Sequence, residues 1–311
     1  MTQAASKLQP MVLRNVAAKG EAGAAWLATL PTLVADLERR WNVVVGATMP
    51  NATEAYVAET MSANGHAGVL KLPIPDAEKP RRELGVLLAA NGRGYVRVLE
   101  HDPASGAMLL ERLGPQLAQL GYPIERQIEV ICATLAEAWR QPPADLSLMT
   151  GAEKAASLAN AIRAIAPRFE AACSARTIDV ALRFAEQRGA AFDPSTSVLG
   201  HGDSHCWNTL VDPAGGGFKF VDPEGLFIEP AHDLSISLRE WSDDFLSGDP
   251  VSRGLARCEI LARLTGVEAT PIWQWGVLET LVNGLLFLDV GSPIDAAPYL
   301  AVAAAWANAE P

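Results

Sequence analysis

Apolar residues are spaced in two ways along the chain, and the change of spacing predicts two structural parts. A helical stripe over residues 26–41, where Pro31 is tolerable only near a helix start, leads into a series of short alternating runs. Those runs predict antiparallel strands at 42–46, 54–60, 67–72, 95–100 and 108–112. A helix is predicted over 76–91. Residues 1–20 show no clear period and are expected to form a loosely held lead.

Beyond Gly114 the apolar positions recur every three or four residues, which is typical of amphipathic helices. Helices are predicted within 124–139, 155–169, 178–188, 234–241, 255–264, 272–290 and 298–306. The fold class indicated is α+β. We expect a small antiparallel-sheet lobe over residues 1–111 and a larger, mainly helical lobe over residues 112–311.

Two short apolar runs, 209–212 and 218–222, are joined by a linker with three successive glycines, which predicts a β-hairpin. If the turn is centred on Gly215, Asn208 lies opposite Asp222. The Cβ atoms of such a pair are roughly 5 Å apart, so both side chains can reach one cation. Because carboxylate and amide oxygens suit Mg²⁺, the spacing predicts a magnesium site at Asn208 and Asp222.

Asp203 lies five positions before Asn208, in a loop that contains Gly200 and Gly202. A carboxylate there is placed to orient a hydroxyl group and take its proton, which makes Asp203 the candidate catalytic residue. A catalytic Asp, a metal-binding Asn five residues later and a second metal-binding Asp beyond are also the parts of kinase catalytic loops.

The segment HGDSHCWN at 201–208 resembles the HGDxxxxN signature of the aminoglycoside phosphotransferases. VDPEGLFIEPAHDLS, at 221–235, is similar to the metal-binding segment of the streptomycin 6-kinase and hydroxyurea phosphotransferase branch of that family. The resemblance implies a protein-kinase-like fold of two lobes, with ATP as phosphate donor, Mg²⁺ as its metal and a small molecule as acceptor.

The resemblance extends more weakly into the first lobe. Lys71 on the third strand and Glu83 on the following helix resemble the ion pair that holds the α- and β-phosphates of ATP in kinases, with Glu78 as a competing partner. The stretch from Glu111 through Leu113 resembles the hinge whose backbone binds adenine. These four residues, Lys71, Glu83, Glu111 and Leu113, are therefore the expected nucleotide contacts.

Composition narrows the partners further. The 311 residues carry a net charge of −11, which disfavours nucleic acid and suits a cationic small molecule.

The four cysteines form no CxxC pair, which is typical of a reducing cytoplasm. The first residues lack the apolar core of a signal peptide, and acidic residues break the apolar stretch 277–290. We expect a cytoplasmic protein that is neither exported nor membrane-spanning.

The acceptor indicated by the resemblance is streptomycin, whose guanidinium groups match carboxylates in charge and in fork geometry. Glu224 and Glu229 follow the metal Asp and are the candidate substrate-binding residues, with Asp243 and Asp244 as later candidates. Hydroxyurea or another small alcohol, which needs no such carboxylates, is the alternative acceptor.

Two other function classes compete with a kinase. His201, Asp203 and His205 form an HxDxH motif that, with His232, would suit the two-His, one-carboxylate metal centre of a hydrolase or oxygenase. A pseudokinase that binds nucleotide without turnover is the second, although all the polar residues needed for turnover are present. If the chain is a kinase, His201 is expected to support the loop and Asp233 to brace it.

Overall fold

The computed structural model describes residues 8–50, 52–75 and 79–309, and the chain folds into two units, Met1–Gly114 and Pro115–Pro311. The predicted division lies after Glu111, slightly before the observed one. Among the described residues, no helix combines the length and apolar character needed to cross a membrane.

The first unit is built on a five-stranded antiparallel sheet in the order β1-β2-β3-β5-β4. Its elements are α1 (Pro10–Ala18), α2 (Gly20–Trp41), β1 (Val43–Thr48), β2 (Ala55–Ser62), β3 (Ala67–Pro73), α3 (Lys79–Ala90), β4 (Val98–Asp102) and β5 (Ala107–Glu111). All five predicted strands are present. Residues 76–78, where the helix predicted over 76–91 begins and where Glu78 lies, are outside the described residues.

Helix α2 buries its predicted apolar stripe against the sheet. Leu30, Val34 and Leu37 pack with Tyr56 and with Leu70 in one core cluster, and such burial is the main favourable term in folding. The prediction for Pro31 is wrong, because α2 runs through it from Gly20 to Trp41. Proline inside a helix removes one hydrogen bond and crowds the preceding turn. Burial of the apolar stripe on both sides of Pro31 offsets this cost, so the helix continues through it.

The lead predicted for residues 1–20 is also wrong over its second half. Helix α1 covers Pro10–Ala18, and Val12 and Val16 pack with Ile74 in a small core cluster. Residues 1–7 lie outside the described residues. The period was missed because two buried valines in nine residues are too few to define a stripe.

The second unit is mainly helical, as predicted. Its helices are α4 (Ile124–Ala138), α5 (Gly151–Ile165), α6 (Ala175–Ala190), α7 (Pro230–Arg239), α8 (Ser242–Leu246), α9 (Pro250–Thr265), α10 (Ala269–Asp289) and α11 (Pro293–Trp306). Helix α10 buries side chains all round, Trp273 and Trp275 among them, so it forms the centre of this unit.

Five short strands complete the second unit and carry the loops of interest. They are β6 (Met149–Thr150), β7 (Val198–Gly200), β8 (Thr209–Val211), β9 (Phe218–Phe220) and β10 (Leu226–Ile228). β10 pairs parallel with β6 and antiparallel with β7, while β8 and β9 form the predicted hairpin. Because Gly200 lies opposite Leu226, the loop that leaves β7 and the loop that enters β10 meet at one end of this sheet.

Candidate active site

The predicted catalytic loop runs from the end of β7 to the start of β8, and it brings Asp203 and Asn208 into contact. The side-chain amide of Asn208 donates to the backbone oxygen of Asp203 at 3.0 Å and to its Oδ2 at 3.4 Å. The same loop is tightened by the backbone amide of His205, which donates to the carbonyl of Asp203 at 2.9 Å. The spacing of five residues therefore positions the two side chains directly.

The predicted register of the hairpin is wrong by one residue. Thr209 pairs with Phe220, so Asn208 lies opposite Val221, whose amide donates to the Asn208 carbonyl at 3.0 Å. Asp222 follows with a φ of 59°, in the left-handed region. Its side-chain direction is set by this bend and not by strand alternation. A non-glycine residue held there costs on the order of 1–3 kcal/mol and is typical of functional sites.

Asn208 and Asp222 fit a Mg²⁺ ion by the chemistry of their donor atoms. Because the Asn208 amide nitrogen is turned to Asp203, its Oδ1 faces away as a neutral oxygen ligand, and Asp222 offers a carboxylate. Mg²⁺ commonly takes only one or two side-chain ligands and completes its shell with water and substrate phosphates. As metal ligands both residues stay a prediction.

Asp233, at the start of α7, braces the loop. Its buried carboxylate accepts the backbone amides of His201 at 2.9 Å and Gly202 at 2.8 Å, and the indole N–H of Trp139 at 2.9 Å. Burial alone would raise the pKa of Asp233, but His232, His201 and the Gly202 amide hold it below its usual value. Both expected supporting roles are observed, because His201 also lies in the brace, with Nδ1 accepting the Asp203 amide at 3.0 Å.

Asp233→Ala is expected to lower the free energy of unfolding by about 3–5 kcal/mol, because two buried backbone N–H groups and the partly buried indole N–H of Trp139 lose their acceptor, at roughly 1–3 kcal/mol each. Urea denaturation followed by circular dichroism measures the change. Asp249→Ala is the matched control, since it removes only the exposed cap of α9 and should cost about 1 kcal/mol. Equal losses in the two variants would rule out the bracing role.

The carboxylate of Asp203 is also held by two side chains, Arg239 and His205. The Arg239 guanidinium donates to Oδ1, and His205 Nε2 lies 3.2 Å from Oδ2. Burial raises the pKa of Asp203, but His205 and Arg239 more than offset this and hold the pKa well below its usual range. Asp203 is therefore ionised at neutral pH, and its side chain is 30% exposed.

In the first unit, Lys71 and Glu83 form the ion pair that the sequence predicted. Lys71 Nζ lies 2.5 Å from Glu83 Oε1, and both side chains are about nine-tenths buried. Glu111 ends β5, where its side chain accepts the Arg97 amide at 2.8 Å, and Leu113 is buried. The roles of these four residues in nucleotide binding stay predictions.

The predicted substrate carboxylates differ in their surroundings. Glu224 lies against the catalytic loop, since its amide donates to the His201 carbonyl at 2.8 Å, and a Cβ at Gly202 would come within 2.8 Å of the Glu224 Cβ. Its carboxylate pairs with Lys154 at 3.0 Å. Glu229 is engaged elsewhere, by Arg188 at 3.1 Å and by the indole of Trp275 at 2.8 Å. Of the two, only Glu224 is shown in contact with the catalytic loop; as substrate contacts both residues stay predictions.

A cavity of about 500 Å³ in the second unit combines carboxylates with aromatic rings. Asp243 is exposed at its edge, while Asp244 pairs with Arg257 at 2.7 Å and with Arg253 at 2.8 Å. The aromatic side chains of the lining are those of Trp241, Phe287 and Tyr299. Such a lining suits a cationic or hydroxylated molecule.

The HxDxH metal centre is wrong. Both ring nitrogens of buried His201 are engaged by backbone: Nδ1 accepts the Asp203 amide, and Nε2 donates to the Val221 carbonyl at 2.9 Å. The ring nitrogens of His205 contact Asp203 and the Trp207 amide. Across the described parts of the chain, no three His, Cys, Asp or Glu side chains are grouped to hold a metal ion.

Cys206 and Trp207, two neighbouring residues of the catalytic loop, differ in burial. Cys206 is buried, and burial raises the pKa of its thiol to about 12, so it is inert. Trp207 is 47% exposed. The sequence analysis gave no role in this site to Arg239, Lys154 or Glu279, although each forms an ion pair in the site or directly behind it.

Comparison with known proteins agrees with the geometry. The model of the family described as "Aminoglycoside/hydroxyurea antibiotic resistance kinase" matches residues 40–291. The streptomycin 6-kinase of Streptomyces glaucescens is 30% identical over 289 residues, which cover 91% of each chain. The hydroxyurea phosphotransferase of Kitasatospora aureofaciens is 31% identical over 285 residues, 85% of this chain and 82% of that protein.

A solved structure shows the same fold. The crystal structure of a thermostable mutant of aminoglycoside phosphotransferase APH(4)-Ia, in a ternary complex with ADP and hygromycin B, superposes with a TM-score of 0.55. The two chains are 15% identical, and the match covers 88% of this chain and 98% of that one. The predicted fold, a small antiparallel-sheet part followed by a larger helical part of protein-kinase type, is confirmed.

Proposed function

The chain belongs to the aminoglycoside/hydroxyurea antibiotic resistance kinase family, and from this premise we propose that it transfers the γ-phosphoryl group of ATP to a hydroxyl of streptomycin or a related guanidinylated cyclitol. The observation that carries the proposal is the contact of Asp203 with Asn208, in a loop that meets the Asp222 segment. That is the arrangement of a carboxylate that orients an acceptor beside a metal ligand.

For the donor, we assign Lys71 to the α- and β-phosphates of ATP, with Glu83 fixing its ammonium group. The backbone from Glu111 to Leu113 is assigned to adenine. Asn208 Oδ1 and the Asp222 carboxylate would hold Mg²⁺, which neutralises charge on the phosphate oxygens when it is bound.

For the transfer step, Asp203 acts mainly by position. Its low pKa makes it a weak base at neutral pH, so it aligns the acceptor hydroxyl and receives the proton only as the bond to phosphorus forms. A loose transition state needs little early deprotonation of the acceptor, and most of the barrier lowering comes from placement and charge neutralisation.

For the acceptor, Glu224 is the leading contact, since its carboxylate lies beside the catalytic loop. A guanidinium group can share this carboxylate through charge-assisted hydrogen bonds. Glu229 remains a prediction as a second contact. The net charge of −11 favours the approach of a cation.

The test is acceptor-dependent release of ADP from purified protein, measured with streptomycin, other aminoglycosides, hydroxyurea and small alcohols, each with and without Mg²⁺. We expect release with streptomycin that requires Mg²⁺. Release with hydroxyurea alone would favour hydroxyurea as the acceptor. The similarity to the hydroxyurea phosphotransferase of Kitasatospora aureofaciens supports this second candidate. Nucleotide binding without release by any acceptor would favour the pseudokinase.

Replacing Glu224 with Gln is expected to raise the KM for streptomycin by about tenfold or more, because a hydrogen bond to a charged group contributes roughly 1.5–3 kcal/mol. Glu229→Gln is expected to raise the KM for streptomycin by less, since Arg188 and Trp275 already engage that carboxylate. Steady-state kinetics of the single and double variants measure both effects. If hydroxyurea is also accepted, its KM should stay unchanged; equal losses for the two acceptors would exclude a guanidinium contact.

A further inference from the structure

Glu279 is a buried carboxylate at the centre of the second unit, on the otherwise apolar helix α10. Three cationic or donor groups from two other helices, α5 and α7, converge on it. Lys154 Nζ lies 3.3 Å from Oε1, His232 Nε2 donates to Oε1 at 3.0 Å, and Arg239 Nη1 lies 3.8 Å from Oε2. Burial opposes its ionisation, but Lys154, His232 and Arg239 lower its pKa to about 2.

One arm of this cluster, the contact of Glu279 with Arg239, leads to the catalytic loop. Arg239 lies at the end of α7, and its two terminal nitrogens have different partners: Nη2 donates to Asp203 Oδ1 and lies 3.9 Å from Glu240 Oε1, whereas Nη1 lies 3.8 Å from Glu279 Oε2. The guanidinium is rigid and planar, so an anion on one nitrogen orients the other. Glu279 thus sets the direction from which Arg239 approaches Asp203.

The other arm leads to the loop that contains Asp222 and Glu224. Lys154, on α5, lies between two carboxylates, 3.0 Å from Glu224 Oε2 and 3.3 Å from Glu279 Oε1. Its side chain is only 12% exposed. A buried ammonium group requires partners, and these two carboxylates hold the pKa of Lys154 above its usual value although burial alone would lower it. Glu279 therefore anchors the lysine that orients Glu224.

We propose that Glu279 is a positioning residue for phosphoryl transfer, which acts through Arg239 on Asp203 and through Lys154 on Glu224. The inference rests on the proposed function, because the roles of Asp203 and Glu224 in phosphoryl transfer are proposed there. The buried charge of Glu279 then aligns two side chains: Asp203, which orients the acceptor hydroxyl, and Glu224, which binds the cationic part of the acceptor. A misplacement of about 1 Å at such residues lowers turnover by about a hundredfold.

The test variant is Glu279→Gln, which keeps the size of the side chain and an acceptor for His232 but removes the charge that Arg239 and Lys154 face. We expect kcat to fall by about tenfold to a hundredfold and the KM for streptomycin to rise by about tenfold. The KM for ATP should stay within about twofold, since Lys71 and Glu83 are untouched. Glu279→Asp, which keeps the charge on a shorter chain, should restore part of kcat.

Leu281→Ala is the structural control, because it loosens the packing of a fully buried side chain on α10 without changing any charge. Per folded molecule, its kcat and both KM values should stay near those of the wild type. If Glu279→Gln behaves like Leu281→Ala, the residue is merely structural and the proposal is wrong.

A double-mutant cycle isolates the lysine arm. Lys154→Met should raise the KM for streptomycin in the wild-type background, and it should add little once Glu279→Gln is present. If the two substitutions raise the KM independently, so that their fold-changes multiply in the double variant, Lys154 and Glu279 do not act together and the proposal is contradicted. If the wild type transfers phosphate to no acceptor, the proposed function fails by itself. The crystal structure of Glu279→Gln then decides the inference: Arg239 displaced from Asp203 supports it, and an unchanged contact overturns it.

Discussion

Asp203→Asn is expected to lower kcat by about a hundredfold or more, a loss typical of removing a general base, while nucleotide binding stays nearly intact. The amide is almost isosteric, so the loop and the bond from Asn208 to the Asp203 carbonyl persist. The negative charge that aligns the acceptor hydroxyl is lost. Steady-state turnover and the Kd for ATP, measured by calorimetry on the same sample, separate the two effects.

The matched control is Asp193→Asn, the same chemical change at a residue that caps the exposed loop before β7. Its turnover should equal that of the wild type. Retention of near wild-type turnover by Asp203→Asn would remove this residue from the catalytic role and leave the family resemblance without its central residue.

Removal of divalent cations by EDTA is expected to abolish activity, and Mg²⁺ is expected to restore it. The predicted ligands, Asn208 and Asp222, offer oxygen atoms, which suit a hard cation and disfavour zinc. Asp222→Asn should raise the Mg²⁺ concentration needed for half-maximal turnover, because it removes the only charged ligand of the proposed pair. Metal analysis of the purified protein should find little zinc or iron; stoichiometric zinc would contradict the magnesium site.

Local patterns in the sequence were enough to predict the catalytic loop. Asp203 and Asn208 are five residues apart in one loop, and the hairpin after them is marked by its glycines, so short-range spacing brings the residues together. The error in register came from centring the turn on Gly215. Asp212 instead pairs with Gly217 through the Asp212 amide at 2.8 Å. Its carboxylate also accepts the Ala214 amide at 3.0 Å, which moves the centre of the turn towards Ala214.

Contacts between distant segments could not be read from these patterns. Lys154, Arg239 and Glu279 lie on three helices far apart in sequence, and helical periodicity reports which face is buried, not which partner it meets. One signal was present. Glu279 interrupts the apolar stretch 277–290, and it counted only as a reason against a membrane span. An ionisable residue inside a helix that is buried on all sides needs a partner, and here that partner set leads to Asp203.

The most direct test of the proposed function is identification of the product by phosphorus NMR and mass spectrometry after incubation of wild-type protein with ATP, Mg²⁺ and streptomycin. We expect a phosphate monoester on a streptomycin hydroxyl, formed in step with ADP and nearly absent when Asp203→Asn is used. Unmodified streptomycin together with free inorganic phosphate, or full conversion by Asp203→Asn, would contradict the assignment of this chain as a streptomycin kinase that works through Asp203.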